Sequence, residues 1–252
     1  MTTKIALVTG GSRGLGKEMA LSLAQKGIDV LLTWKNNEAQ AKETAAAVQQ
    51  LGAKAATLQL DMLQPAGLNH FIMAVKNTLQ QHWGKQHIDF LINNAGMGAT
   101  IPFTEVTEKT FDEFMDVHFK GVYFLTQKML PLLNDGGSII NISSGTTRFC
   151  VPGYSVYASM KGAIETFTKY LAKELGHRQI TANIVAPGPV ETDFNEAAIR
   201  NNPQMKAALS NFSPLGRVGH ADDIGGVVAF LCSHEAKWIN GQRIEVSGGI
   251  NI

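Results

Sequence analysis

The chain is poor in several things, and each scarcity removes a class of protein. Two cysteines, Cys150 and Cys232, are all that 252 residues contain. That is too few for a disulfide framework or a multi-thiolate zinc site. Charge of one sign is lacking too: 22 Lys+Arg stand against 21 Asp+Glu, a net +1. No global field is available to hold nucleic acid or an anionic membrane. Long apolar runs are missing. A spanning helix needs about 20 apolar residues in a row, whereas the best candidate, Ile224 to Cys232, is short and contains Gly225 and Gly226. Near the start, Ile5 to Val8 is too short for a signal-peptide core and no small-residue cleavage site follows it. The seven histidines are scattered without metal-ligand spacing, so no metal is expected. These absences point to a soluble protein of a reducing compartment, the cytoplasm, with neither membrane nor nucleic acid as partner.

What is present is a core and a rhythm. A hydrophobic fraction of 44% is ordinary for a globular domain. Short β-branched or aliphatic runs recur at Ile5–Thr9, Asp29–Thr33, Ala55–Leu60, Ile88–Ile92, Ser138–Ile142, Ile180–Val185 and Arg243–Val246. Between them lie segments of helical periodicity: Leu15–Gln25, Glu38–Leu51, Leu68–His82, Phe111–Leu133 and Tyr157–Leu175. Short strands alternating with long helices predict an α/β fold, a Rossmann-like doubly wound parallel sheet of about seven strands with helices on both faces. The rhythm runs from end to end, so residues 1–252 read as one domain. Residues 191–219 break it without offering a strand, which predicts a loop or flap over the site.

The first strand ends in Thr9-Gly10-Gly11-Ser12-Arg13-Gly14-Leu15-Gly16 and runs straight into an amphipathic helix. Such a turn lets backbone N–H groups meet a pyrophosphate at a helix N-terminus. Sites for NAD place an acid about 20 residues further on to bind the ribose 2′-hydroxyl. Here the second strand ends Leu31-Leu32-Thr33-Trp34-Lys35-Asn36, with no carboxylate. Two cations, Lys35 and Arg13, suit a 2′-phosphate instead, hence NADP; the alternative is that both are solvated surface charges.

After the fifth strand comes Asn141-Ile142-Ser143-Ser144, and further on Tyr157 and Lys161 stand at i and i+4, one turn apart on a helix face. A tyrosine ordinarily loses its proton near pH 10. Lowering that by three units takes about 4 kcal/mol of differential interaction, within reach of a close ammonium in a drained site. Ser144, at the end of the preceding strand, lies where open α/β sheets place ligands.

Taken in order, Thr9 to Gly16, Asn93-Asn94-Ala95-Gly96, Ser144 with Tyr157-x-x-x-Lys161, Pro187-Gly188, Pro214-Leu215-Gly216-Arg217, Asp222-Asp223-Ile224, Asn240-Gly241 and Gly248-Gly249 resemble the short-chain dehydrogenase/reductase family in its compact form. The resemblance covers essentially the whole chain. It implies a nicotinamide-dependent carbonyl reductase or alcohol dehydrogenase acting on a small-molecule substrate. In that family role Tyr157 is the general acid of reduction, Lys161 lowers its pKa and holds the nicotinamide ribose, and Ser144 holds the substrate oxygen. Ser143 is the competing serine, but the thirteen-residue interval to tyrosine matches the family for Ser144. For the cofactor, the resemblance places Gly10, Ser12, Arg13, Gly14, Leu15 and Gly16 at the phosphates. It places Asp61 near adenine, Asn93 and Ala95 with Gly96 around the adenosine ribose, and Pro187, Gly188, Val190 and Thr192 by the nicotinamide. Asp61 has a second reading, as a cap for the helix beginning near Pro65.

One departure stands out. The family's catalytic asparagine is replaced in Asp116-Val117-His118-Phe119 by His118. Its imidazole can stand in for the relay, its backbone carbonyl can hold the relay water, or the ring can simply pack between helices. Around the reacting carbonyl, Phe149, Val151, Pro152, Tyr154, Phe194 and Phe212 predict an apolar pocket for a hydrophobic ketone or aldehyde. Arg148 would instead suit a 3-oxoacyl-thioester. Cys150 reads as a small buried residue or a pocket liner. Surplus apolar stripes on the two longest helices predict burial against a second subunit, and the family resemblance implies a homotetramer. The rival to an enzyme is an NADP-sensing regulator, against which the intact serine, tyrosine and lysine argue.

Overall fold

A computed structural model describes residues 3–252. Its strands are β1 (Ile5–Val8), β2 (Asp29–Trp34), β3 (Ala55–Gln59), β4 (Ile88–Asn93), β5 (Leu133–Ile142), β6 (Thr181–Pro187) and β7 (Arg243–Val246). All neighbours pair in parallel, in the order β3-β2-β1-β4-β5-β6-β7. The order reverses between β1 and β4, and ligands of such sheets bind outside the strand C-termini at that reversal. The predicted doubly wound sheet is therefore present.

Both faces of the sheet are covered, which is why its strands are apolar without alternation. Ile5 and Leu7 of β1 point into one core with Phe71 and Val75 of α3 (Leu68–Thr78), Leu125 of α5 (Gly121–Met129) and Ile164 of α6 (Ser155–Glu174). Ala6 and Val8 point into the other, with Met19 and Leu23 of α1 (Gly14–Gln25), Val48 of α2 (Glu38–Gln50) and Val228 of α9 (Ala221–Leu231). Among the described residues no helix is long and apolar enough to cross a membrane.

Several boundaries differ from the sequence pattern, the larger ones for local reasons. β5 begins at Leu133, earlier than Ser138, because Leu133 pairs with Ile88 before an irregularity shifts the register. The long helix predicted over 111–133 starts at Glu108 as α4 (Glu108–Met115), where the Thr107 side chain accepts the Thr110 N–H at 3.1 Å. A π-helical turn, Asp116–Lys120, then joins α4 to α5; such turns break the 3.6-residue period. The flap holds no strand, as the pattern predicted, but two helices, α7 (Phe194–Asn201) and α8 (Pro203–Asn211). The second is capped by Asn202, whose side chain accepts from the Met205 N–H.

Candidate active site

The glycine turn is fixed from beneath. Thr9 Oγ1 accepts the N–H groups of Asn94 (2.9 Å) and Ala95 (3.0 Å), while the Asn94 side chain donates to the carbonyls of Thr9 and Gly10. Gly10 N–H donates to Thr33 Oγ1 and Thr44 Oγ1 donates to the Ser12 carbonyl. Two glycines are demanded by geometry. Gly10 has φ +64°, and a Cβ on Gly16 would stand 2.2 Å from the Gly10 carbonyl oxygen. With no side chain capping α1 at Arg13, the first N–H groups of that helix face outward as anion donors. Leu15 packs beside the second core.

The two cations have partners. Lys35 Nζ lies 3.1 Å from Asp61, and Arg13 lies 3.7 Å from Asp193, which also binds Arg200. Asp61 accepts the Leu63 N–H, whereas the turn at Pro65 is preceded by Gln64 without a side-chain cap. Asp61 thus holds Lys35 and its own loop, not that turn. The Asn93 carboxamide is buried and donates to Thr126 (3.0 Å) and Asn141 (2.8 Å), so its side chain belongs to the sheet interior. Asn94, which the sequence reading passed over, is the residue whose side chain shapes the crevice.

In the segment expected to face the nicotinamide, Gly188 donates its N–H to the Val246 carbonyl, and a Cβ there would meet Ser247 at 2.7 Å. That glycine is required by β7 as its neighbour. Val190 bridges Gly219. Thr192 stands against Gly14, at 3.7 Å from the position of a Cβ there, so the start of the flap touches the glycine turn. Pro187 is the last residue of β6.

Ser144, Tyr157 and Lys161 come together at the C-terminal edge of β5. Lys161 is buried and donates to the Ile142 carbonyl at 2.7 Å, with Nζ 5.6 Å from the Tyr157 ring centre. Tyr157 is buried as well. Burial pushes its phenol up to about 12, opposed by a hydrogen bond with Ser144, and burial pulls Lys161 down to about 8. The direction for Tyr157 is opposite to the lowering that the family resemblance implied. In this site the cost of a buried phenolate outweighs the hydrogen bond from Ser144. A phenol that stays protonated at neutral pH is the form a general acid needs. Ser143 is buried and donates to Glu165 at 2.7 Å, which leaves Ser144 as the serine at the crevice.

His118 is buried in the π-helical turn, its Nε2 2.8 Å from the Met97 carbonyl oxygen. Its ring packs between Phe114 and Tyr157, with centroids at 5.6 and 5.1 Å. Burial first, then the Lys161 charge, holds its pKa well below the ordinary histidine value, against a bond to Met97 that raises it. The imidazole is therefore neutral.

The expected pocket residues divide. Phe194 covers Gly98, where a Cβ would lie 2.5 Å from the ring, and stands 6.0 Å from the Tyr157 ring. Asn195 donates to the Tyr154 hydroxyl at 3.1 Å. Phe149 lies against Gly145. Val151 and Phe212 are exposed. Arg148 is spoken for: it forks onto Glu245 (2.7 and 2.8 Å) and donates to the carbonyls of Ile250 and Asn251. Four of its five N–H groups are thus taken within the protein, which ties the guanidinium to β7 and the segment after it. Cys150 is exposed, not buried, because it follows Arg148 and Phe149 out of the short turn after Ser144.

Comparison with known proteins agrees with the fold. The family model described as enoyl-(acyl carrier protein) reductase matches residues 10–251. A tetrahydroxynaphthalene reductase of Pestalotiopsis fici, PfmaG, is 36% identical over 98% of this chain and 91% of its own. The structure of LugOII, a promiscuous reductase of keto-reduction at C1 during lugdunomycin biosynthesis, superimposes with a TM-score of 0.93, at 36% identity and 98% coverage of both chains. The angucycline C-6 ketoreductase LanV with bound NADP gives a TM-score of 0.94 at 36% identity, over 98% of this chain and 96% of that one. The chain belongs to the short-chain dehydrogenase/reductase family of oxidoreductases.

Proposed function

We propose that the protein is an NADPH-dependent ketoreductase that reduces a hydrophobic, ring-bearing ketone or aldehyde and reversibly oxidises the alcohol. The observation that carries this is the convergence of Ser144, buried Tyr157 and buried Lys161 at the strand ends beside the sheet's reversal. Three features fit a bound dinucleotide phosphate: the Gly10–Gly16 cradle that a Cβ would fill, the uncapped start of α1, and Lys35 at the end of β2 in place of an acid. When bound, NADPH supplies the hydride. Tyr157 gives its proton to the carbonyl oxygen, and the Ser144 hydroxyl stabilises the charge gathering there. Lys161, held by the Ile142 carbonyl, keeps a positive charge beside the phenol as that proton leaves. His118 orients the Tyr157 ring through packing. The substrate class is supported by relatives described as a tetrahydroxynaphthalene reductase and as the ketoreductase LanV with bound NADP and rabelomycin.

The reading includes a homotetramer in the cytoplasm. Tyr123, Phe124 and Tyr170 stay exposed on α5 and α6, with Tyr123 stacked on Phe167 at 4.6 Å, which suits burial against a second copy. A monomeric mass in solution would contradict it. The test of the chemistry is NADPH consumption across a panel of aryl and polycyclic ketones. Tyr157→Phe should slow any accepted substrate by about 10²–10⁴-fold. Full turnover by that variant would exclude the mechanism, and no turnover of any ketone by the native protein would favour an NADP-sensing regulator.

A further inference from the structure

Resting on the ketoreductase reading, we propose that Thr146 is a positioning residue that makes the Ser144 hydroxyl an obligate hydrogen-bond donor. A serine hydroxyl has one proton and two acceptor lone pairs. Ser144 Oγ accepts the Thr146 N–H at 3.2 Å and the Thr146 Oγ1–H at 3.0 Å. Both lone pairs are thereby filled from one side. The serine proton is left free of both Thr146 contacts, available to a carbonyl oxygen in the crevice beside Tyr157.

The backbone beneath offers no escape from this arrangement. The Ser144 carbonyl accepts from Thr147 Oγ1 (2.9 Å) and Arg243 Nη2 (3.2 Å). Arg243 Nε is in turn seated on Glu165 Oε1 at 2.8 Å, the same oxygen that takes Ser143 Oγ–H. With the main chain clamped from β7 and α6, the remaining freedom of Ser144 is rotation of its side chain, and Thr146 removes it. Without the Thr146 hydroxyl, a lone pair on Ser144 opens towards Tyr157. The phenol can then donate to serine instead of to substrate, and the acid and the charge stabiliser block one another. Thr146 itself exchanges no proton or electron in the reaction.

The experiment compares Thr146→Val, Thr146→Ser and Ser144→Ala for kcat, KM and the pH dependence of alcohol oxidation. Thr146→Val keeps the shape and loses the donor. It should lower kcat about ten-fold, the worth of one hydrogen bond, with KM nearly unchanged. It should also move the apparent pKa of the catalytic base upward, since Ser144 no longer donates steadily to the phenolate. Thr146→Ser should restore both, a rescue that a packing role would not give. Thr146→Ala replaces the valine variant if that one melts at a lower temperature. Native kcat and pH profile in the Val and Ala variants, alongside a Ser144→Ala that is about 10²-fold slower or worse, would overturn the role of Thr146 alone. Full activity in both Ser144→Ala and Tyr157→Phe would overturn the ketoreductase reading and this inference with it.

Discussion

Gly96 and His118 are in direct contact: a Cβ on residue 96 would stand 2.9 Å from His118 Cε1. The glycine of the Asn93–Gly96 motif therefore makes room for an imidazole that occupies the place of the family's asparagine. Since burial keeps that imidazole neutral, no inflection near pH 6–7 in the activity profile should belong to it. His118→Asn should leave the shape of the pH–rate curve intact and cost about 1–3 kcal/mol of stability through a cavity and lost packing. Kinetics across pH and denaturant unfolding of the same variant check both halves, and a vanished inflection would restore a relay role to the side chain.

The opposed shifts of Tyr157 and Lys161 set the alkaline behaviour of the reaction. Tyr157, pushed up to about 12, stays protonated throughout the neutral range, while Lys161, pulled down to about 8, loses its charge first as pH rises. Reduction should hold steady up to about pH 8 and fall above it as that supporting charge disappears. A reduction kcat that climbs between pH 8 and 10 would contradict this order of titration.

Cofactor choice should depend on Lys35. On the proposed reading, reversing its charge with Lys35→Glu would replace a charge-assisted hydrogen bond to the 2′-phosphate with repulsion. We expect the KM for NADPH to rise by about 10–100-fold, with that for NADH changed little. Steady-state kinetics with each nucleotide decide the matter, and equal efficiency of the native enzyme with both would remove the premise.

Acid should loosen the Arg148–Glu245–Arg243 cluster. Hydrogen bonding from Arg148, then from Arg243 and Ser247, holds the Glu245 carboxyl down to about 2 against burial that raises it. A carboxyl lowered on folding contributes stability above its unfolded value near 4.5, lost as pH falls towards 2. Glu245→Gln should be less stable than native at pH 7 and should lose less on going from pH 5 to 3. Parallel melting curves over that interval would show the prediction to be wrong.

What the sequence made legible was local. The strand–glycine–helix unit at Thr9–Gly16 and the Tyr157–Lys161 pair each depend on spacing along one element, and both stand where the pattern put them. The partners of charged residues were not legible, because they join distant segments: Arg148 meets Glu245 across 97 positions and Arg243 meets Glu165 across 78. Arg148 therefore looked free for an acyl thioester when most of its donors are taken by Glu245, Ile250 and Asn251. The π-helical turn at Asp116–Lys120 escaped because one extra residue per turn leaves no mark in composition. Cys150 followed its residue type in the reading and the direction of its loop in the structure. Thr126 and Asn141 explain the burial of Asn93, and no motif announced them.

The bonds from Arg148 to the carbonyls of Ile250 and Asn251 have a practical consequence. They tie Ile250 and Asn251 to the loop that follows Ser144. Trimming the final three residues deletes two acceptors from Arg148 and unseats a guanidinium only four positions from Ser144.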